Sequence, residues 1–539
     1  MRMTNKIMQN NSLYNINQNK VLQDKLSTQM STQKKLTRPS DDPVVAIRAL
    51  RLRSSVSELT QYYEKNSPDA ESWLKVTADG LGTVTDILTS MSVNANKGSN
   101  KDLTADDLEI IVTQMKSLSE EFYSTGNLDY AGRYVFTGFR TNTPMQFTAA
   151  DIADTVNPVP DYNITEQVTI GDFDNINYTD IGVLNGLNIN NYDDGTHNEV
   201  ETAVSNADIH RIRLAYDNLS KDTIPSIDVI EEVTYDPTTE VYTPVSALTF
   251  DDSSTPPIEV ATSPDQAYRD IATANDSGDS KVIFVPDTGE ILLSNAAYAE
   301  LDSAVTAAGG TDAQIRINYD KSSWANGDLR PEHYFACTST DKKDPTNQVV
   351  YNAEYLTTGQ EKQVIEYEVG YNQTIEVNTT ADEVFTHNLI RDMDDLQKAL
   401  DSLKNIEGIK KALNDARKAY DEGTSEYEAI GVQLDAANKS YDYIRQNMHQ
   451  LMGRAISKTQ NYLDSVNVAV TDNGTRSSRL ELISNRLMEQ KTTFKTLQSE
   501  NEDVDIAEVA VNLTSAELTY NSSLMATGKI LQTTLMNYI

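Results

Sequence analysis

The chain of 539 residues contains one cysteine, Cys337. With no second thiol it can hold no intrachain disulfide. Two Trp, 10 Phe and a hydrophobic content of 38% make for a lean core. No apolar run reaches the roughly 18–20 residues that a membrane helix needs. Residues 1–18 lack the apolar segment of a secretory signal peptide. That predicts a cytoplasmic protein, or one exported without a cleavable signal.

Catalytic and metal-binding patterns are equally scarce. His197, His210, His333, His387 and His449 are far apart. His333 and Cys337 lie four apart, but two ligands do not make a zinc site. Asp172–Asn177 lacks the fifth-position oxygen and sixth-position glycine of a calcium loop. Asp287-Thr288-Gly289 matches an aspartic-protease triplet, but such enzymes need two facing carboxylates and a turn accounts for it. The chain has no Gly-rich phosphate loop, no G-x-S-x-G, and no basic patch interleaved with aromatics. The sequence therefore predicts no catalytic residue, no metal, no cofactor, no nucleic-acid partner and no membrane insertion. Arg48, Arg51 and Arg53 are expected on an amphipathic helix, where they could meet an acidic face.

What the chain does have is negative charge, unevenly spread. The net charge is −36. Residues 1–140 balance at +1, residues 387–539 at −5, and residues 141–386 at −32. Nearly neutral ends can pack or polymerise without strong self-repulsion, while the middle stays solvated. The middle also holds 12 of the 15 prolines.

The ends carry helical periodicity. Val45, Ala49, Leu52, Val56, Leu59 and Tyr63 follow 4-3 spacing, and Ala70, Trp73, Thr77, Leu81, Val84, Leu88, Met91 and Ala95 continue it. Tyr427, Ile430, Leu434, Ala437, Tyr441, Ile444 and Met448 repeat the pattern near the other end, with breaks expected at Gly474 and at Glu500–Asp505. Such seams need partner helices. The middle reads as short strands with turns, including hairpins at 282–293 and 363–377 and a helical piece at Ala207–Leu219. The predicted fold is a mainly α, coiled-coil-like bundle built from both chain ends, with an inserted β-rich (α+β) middle domain.

One stretch stands out: Arg38-Pro39-Ser40-Asp41-Asp42-Pro43. Pro39 should end any preceding helix. Asp42, forced toward extended dihedrals by Pro43, suits an N-cap, and Pro43 suits the first helical position. The reading is helix, extended joint, capped helix.

This motif, followed by Ala46, Arg48, Ala49, Leu50 and Arg51, resembles the flagellin superfamily and within it the hook–filament junction (hook-associated protein 3) family. So do Trp73-Leu74 and Gly132–Gly138, and at the other end Gly474-Thr475-Arg476, Arg479-Leu480-Glu481, Asn485-Arg486-Leu487, Asp503-Val504-Asp505 and Leu531-Gln532 with Leu535. Flagellins proper carry Ala and Gly around the Asp-Asp instead of two prolines. The resemblance covers roughly 140 residues in front and 70 behind, and leaves 141–386 unaddressed.

The resemblance implies a structural adaptor that joins hook to filament and seeds flagellin assembly, located outside the cell. Its implied partners are its own copies in a ring or tube, an adjoining hook-associated protein, flagellin, and an export chaperone at the C-terminal helices. It implies an inner terminal-helix domain (1–40 and 500–539) and a helical bundle (41–140 and 387–499), from which the heptads of 404–455 depart as an extra helical hairpin. The acidic insertion (141–386) lies outside them. Leu13, Ile16, Leu22, Leu26, Leu513, Tyr520, Leu524 and Leu531 are the candidate assembly residues. Alternatives are a flagellin-type filament subunit, against which the two prolines argue, and a stalked surface module in 141–386 that binds a host surface or glycan. An enzyme in that region has little support from its His- and Cys-poor composition.

Overall fold

A computed structural model describes residues 5–180, 204, 206–236, 241–310, 313–356 and 363–532. Helices α1 (Asn5–Thr32), α2 (Pro43–Gln61), α3 (Ser67–Gly98) and α4 (Ala105–Thr125) open the chain. The middle is β-rich and includes α5 (Pro264–Ser277) and α6 (Asn295–Ala308). Helices α7 (Asn388–Arg417), α8 (Ser425–Glu502) and α9 (Ile506–Gln532) close it. Among the described residues no helix is long and apolar enough to cross a membrane.

The contacts divide the chain into two compact units. One gathers residues 1–71, 366–376 and 476–539, the other residues 72–365 and 377–475. The first unit takes in the hairpin β14 (Glu366–Gly370) and β15 (Gln373–Glu376), which lies within the expected 141–386 insertion. It braces the helices of the terminal unit: Tyr62 Oη donates to Glu368 Oε1 at 3.2 Å, and Arg476 pairs with Glu376 at 2.9 Å. A π-helical turn, Tyr62–Asn66, joins α2 to α3 without a break.

In the other unit the repeat from Trp73 to Ala95 is fully buried. Thr104 and Asp107 cap α4 reciprocally, which satisfies free amides of its first turn. Phe122 and Phe136 pack edge-on against Phe385. The chain turns at 418–424, and Lys410 and Arg417 of α7 lie over the rings of Tyr441 and Tyr427 of α8. Gly474 does not break α8, which runs through it for 78 residues. Its cost, about 1 kcal/mol against alanine, is small beside the packing of so long a helix.

Two sheets form the β-region. The first is ordered β13 (Gln348–Tyr351), β12 (Ala336–Thr340), β3 (Asp161–Val168), β11 (Ile315–Lys321), β6 (Ser226–Asp236), β7 (Val241–Phe250). The second is ordered β4 (Asp174–Thr179), β5 (Asn206–Arg213), β10 (Glu290–Leu293), β9 (Val282–Val285), β8 (Ile258–Val260). A two-stranded ribbon, β1 (Asp129–Tyr130) and β2 (Arg133–Tyr134), precedes them. Ile209, Ile271, Ile283 and Leu292 form the core beneath α5. The helix expected at 207–219 is instead a strand, β5, paired on both sides. Its neighbours in the sheet outweigh a local periodicity too short to decide.

Candidate functional site

The joint and the terminal helices lie in one unit. Helix α1 ends at Thr32, and Gln33 reverses the chain with φ +59°. Residues 33–35 then run antiparallel to 502–504. Lys34 bridges Asp503, Lys35 N donates to the Glu502 carbonyl at 2.7 Å, and Val504 N donates to that of Gln33 at 3.1 Å. Beyond this ladder the joint is extended at Asp42, with φ −151° and ψ 101°. From Arg38 to Asp41 it closes a turn, with Asp41 N donating to the Arg38 carbonyl at 3.1 Å and Pro39 at the turn's second position. Asp42 caps α2, its carboxylate accepting from Val44 N at 3.0 Å and Val45 N at 3.2 Å, and Pro43 takes the first helical position. Ser40 is exposed within the turn.

A pair of ionic contacts locks this crossing. Arg53 donates to both oxygens of Glu502, at 2.7 and 2.5 Å, and Lys34 pairs with Asp503. Glu502 is buried, and its bond from Arg53 holds the carboxyl below the usual range. The bond from Lys34 does the same for Asp503. Of the three arginines expected to meet an acidic face, Arg53 finds one within its own unit.

The structure divides the candidate packing residues. Ile16 and Leu26 are buried, and Leu26 meets Val509 and Ala516 of α9 with Leu513 against them. Tyr520 is half-buried. Leu13, Leu22 and Leu524 are exposed. The side chain of Leu531 and the whole of Leu535 lie outside the described residues. Further exposed apolar residues, not among the candidates, form two rows: Ile7, Tyr14 and Val21 on α1, and Val511, Leu518 and Met525 on α9. Both rows follow seven-residue spacing, a signal present in the sequence.

The second charged site escaped sequence reasoning. In the β-containing unit, Arg211 and Arg213 of β5 reach Asp395 of α7 at 2.7 and 3.0 Å. Arg211 also meets Glu290 at 3.0 Å, Arg213 meets Asp392 at 2.7 Å, and Lys458 of α8 joins Asp392 at 2.9 Å. Burial alone would push the Asp395 carboxyl up, but the two arginines hold it far below its usual range. The cluster ties the five-stranded sheet to α7 and α8. Asp287-Thr288-Gly289 is the β9–β10 turn, with Gly289 at φ +61°. His333 and Cys337 are buried, and burial lowers the His333 imidazole to about 4. Among the described residues no group of three or more His, Cys, Asp or Glu is placed to hold a metal.

Comparison with known proteins follows the ends. Residues 3–141 match the bacterial flagellin N-terminal helical region. Flagellar hook-associated protein 3 of Salmonella typhimurium LT2 is 28% identical over 142 residues, 26% of this chain and 44% of that protein. The protein of the same name from Escherichia coli K12 is 28% identical over 144 residues, 26% of this chain and 45% of its own. The chain thus spans under half the length of these curated relatives. A putative flagellar hook-associated protein from Vibrio parahaemolyticus aligns with 86% of this chain and 100% of its own, at 13% identity and a TM-score of 0.32. Flagellar hook associated protein-3 from Legionella pneumophila aligns with 83% and 98%, at 11% identity and a TM-score of 0.28. Likeness at those TM-scores carries no argument.

Proposed function

We propose that this chain is a structural subunit of the bacterial flagellum that joins hook to filament and seeds flagellin addition, polymerising through its terminal helices. One observation carries the reading. Helices α1 and α9 pack on each other and still expose an apolar row apiece, Ile7–Tyr14–Val21 and Val511–Leu518–Met525. A seven-residue apolar repeat is a seam for another helix. Exposed apolar rows on a charged protein mark interaction surfaces. Two rows on one helical pair let each copy hold a neighbour on either side, the head-to-tail contact that builds rings or tubes. The match of residues 3–141 to the flagellin N-terminal region supports a place in the flagellum.

The role is assembly rather than catalysis, carried out at the flagellum outside the cell. The adjoining hook-associated protein and flagellin are the partners, and an export chaperone would hold the C-terminal helices before assembly. The joint, Arg38 to Pro43, fixes how α2 leaves the terminal pair. Packing falls to Ile16, Leu26, Leu513 and Tyr520 within a copy, and to Leu13, Leu22 and Leu524 with the two rows between copies. The relatives' names favour the junction over a filament subunit or a surface-binding module.

Limited proteolysis of the purified chain, alone and mixed with flagellin, tests this. Residues 1–40 and 500–539 should be cut quickly alone and protected in the mixture. Identical cutting in both would refute the reading.

A further inference from the structure

Helix α2 has apolar periodicity yet no fully buried residue. Its inner row, Val45, Leu52, Val56 and Leu59, is half-buried. On the outer side Val44, Ile47 and Leu50 are 68%, 54% and 63% exposed. Arg48 and Arg51 share that side, since 44, 47, 48 and 51 fall at i, i+3, i+4 and i+7. Both are exposed, and neither has an ion-pair partner among the described residues. Residues 43–57 carry three arginines and no carboxylate. A cleft of about 160 Å³ at the joint, lined by Leu36, Pro39, Val45, Ala49 and Arg53, lies on the other side of α2 and touches this face only at Leu50. The result is an exposed apolar, cationic face.

The complementary surface is on α9. Residues 504–528 carry Asp505, Glu508 and Glu517 and no cation. The exposed row Val511–Leu518 is flanked by Glu508 on one side and Glu517 on the other, both exposed. The inner face of α9 is committed to α1 through Val509 and Ala516, so its outer row is open to a neighbour. A net charge of −36 repels nucleic acid and anionic lipid, which leaves protein as the occupant of so small a cationic face.

We infer that the outer face of α2 receives the outer row of α9 from a second copy, the arginines meeting its carboxylates. The inference rests on the polymerising role proposed above and names the contact that orients one copy on the next. Apolar burial supplies the affinity, and the opposed charges reject a reversed or displaced neighbour.

The test is a charge swap in the full chain, read by sedimentation velocity at low ionic strength. Arg48→Glu with Arg51→Glu should weaken self-association about tenfold, and Glu508→Lys with Glu517→Lys should do the same. An equimolar mixture of the two variants should recover wild-type association, because each reversed face then finds its opposite on the other chain. Should reversal disturb the helices by circular dichroism, Arg48→Gln with Arg51→Gln should still weaken association about threefold and remove most of its salt dependence. Variants that associate like wild type, or that weaken without recovery on mixing, overturn the inference. So does a variant that self-associates normally but loses binding to purified flagellin. Tyr14→Asp with Val21→Asp separates the two levels. If it abolishes association while the arginine variants have no effect, the polymerising role stands and this contact falls. If the wild-type chain never associates, both fall.

Discussion

At Asp42 a single carboxylate starts a helix. It accepts two amides that α2 would otherwise leave unpaired. Asp42→Ala should cost about 1 kcal/mol, and amide exchange in the first turn of α2 should speed up accordingly. Unchanged exchange there would mean the ladder to 502–504 alone holds the helix start. This cap was legible because capping depends on neighbours in sequence: Asp before Pro dictates the dihedrals and the donor positions together. The Arg53–Glu502 pair was not, because its members are 449 positions apart and nothing in either segment names the other. Titration also acts at this scale. Glu502 has a depressed folded pKa, so its contribution is present above the unfolded value of 4.5 and lost as pH falls through the folded one. His333 and His387 are lowered by burial from 6.5 to about 4. The unfolded chain therefore takes up those protons first, and stability drops as pH falls from about 6.5 to about 4. Glu166 runs the other way. Burial raises it to about 7 although Tyr319 Oη and Ala215 N both donate to it, so the folded chain loses stability as pH rises from 4.5 to 7. Glu166→Gln keeps both acceptor contacts and should remove that loss, on the order of 3 kcal/mol at pH 8. Urea unfolding followed by Trp73 and Trp324, both in this unit, measures it. A wild-type-like pH slope in the variant would contradict the assignment.

Among elements, the long helices were the most readable, since their seams repeat over many turns. The strand β5 was misread for a physical reason. Arg211 and Arg213 alternate with Ile212 and Leu214, a period of two, yet two arginines suggest solvent. Both are buried, because Asp392, Asp395 and Glu290 neutralise them from α7 and β10. Removing one member leaves uncompensated charge, so Asp395→Ala should cost about 3–5 kcal/mol in the same tryptophan-monitored unfolding. A loss below 1 kcal/mol would show that the cluster is solvated. Gly474 gives the opposite case. It lies inside α8, where a β-carbon would meet nothing. Gly474→Ala should stabilise α8 by about 0.5–1 kcal/mol, read as a higher denaturation midpoint with unchanged helicity. A lower midpoint would contradict an unobstructed, regular helix at that position.

For the molecule as a whole, charge and periodicity together made the plan legible: neutral helical ends and an acidic β-rich middle. The packing candidates were only partly separable, because a helix face that serves its own chain and one that awaits another chain have the same composition. Leu26 is buried while Leu22, four residues earlier on α1, is exposed. Only the folded pair distinguishes inner from outer. The central claim is that the outer rows of α1 and α9 hold neighbouring copies together, and the association state of the purified chain against concentration tests it most directly. Wild type should form larger species as concentration rises. Tyr14→Asp with Leu518→Asp should remain monomeric with its helicity and denaturation midpoint unchanged. If that variant associates as readily as wild type, the rows are not the assembly surface and the account is wrong.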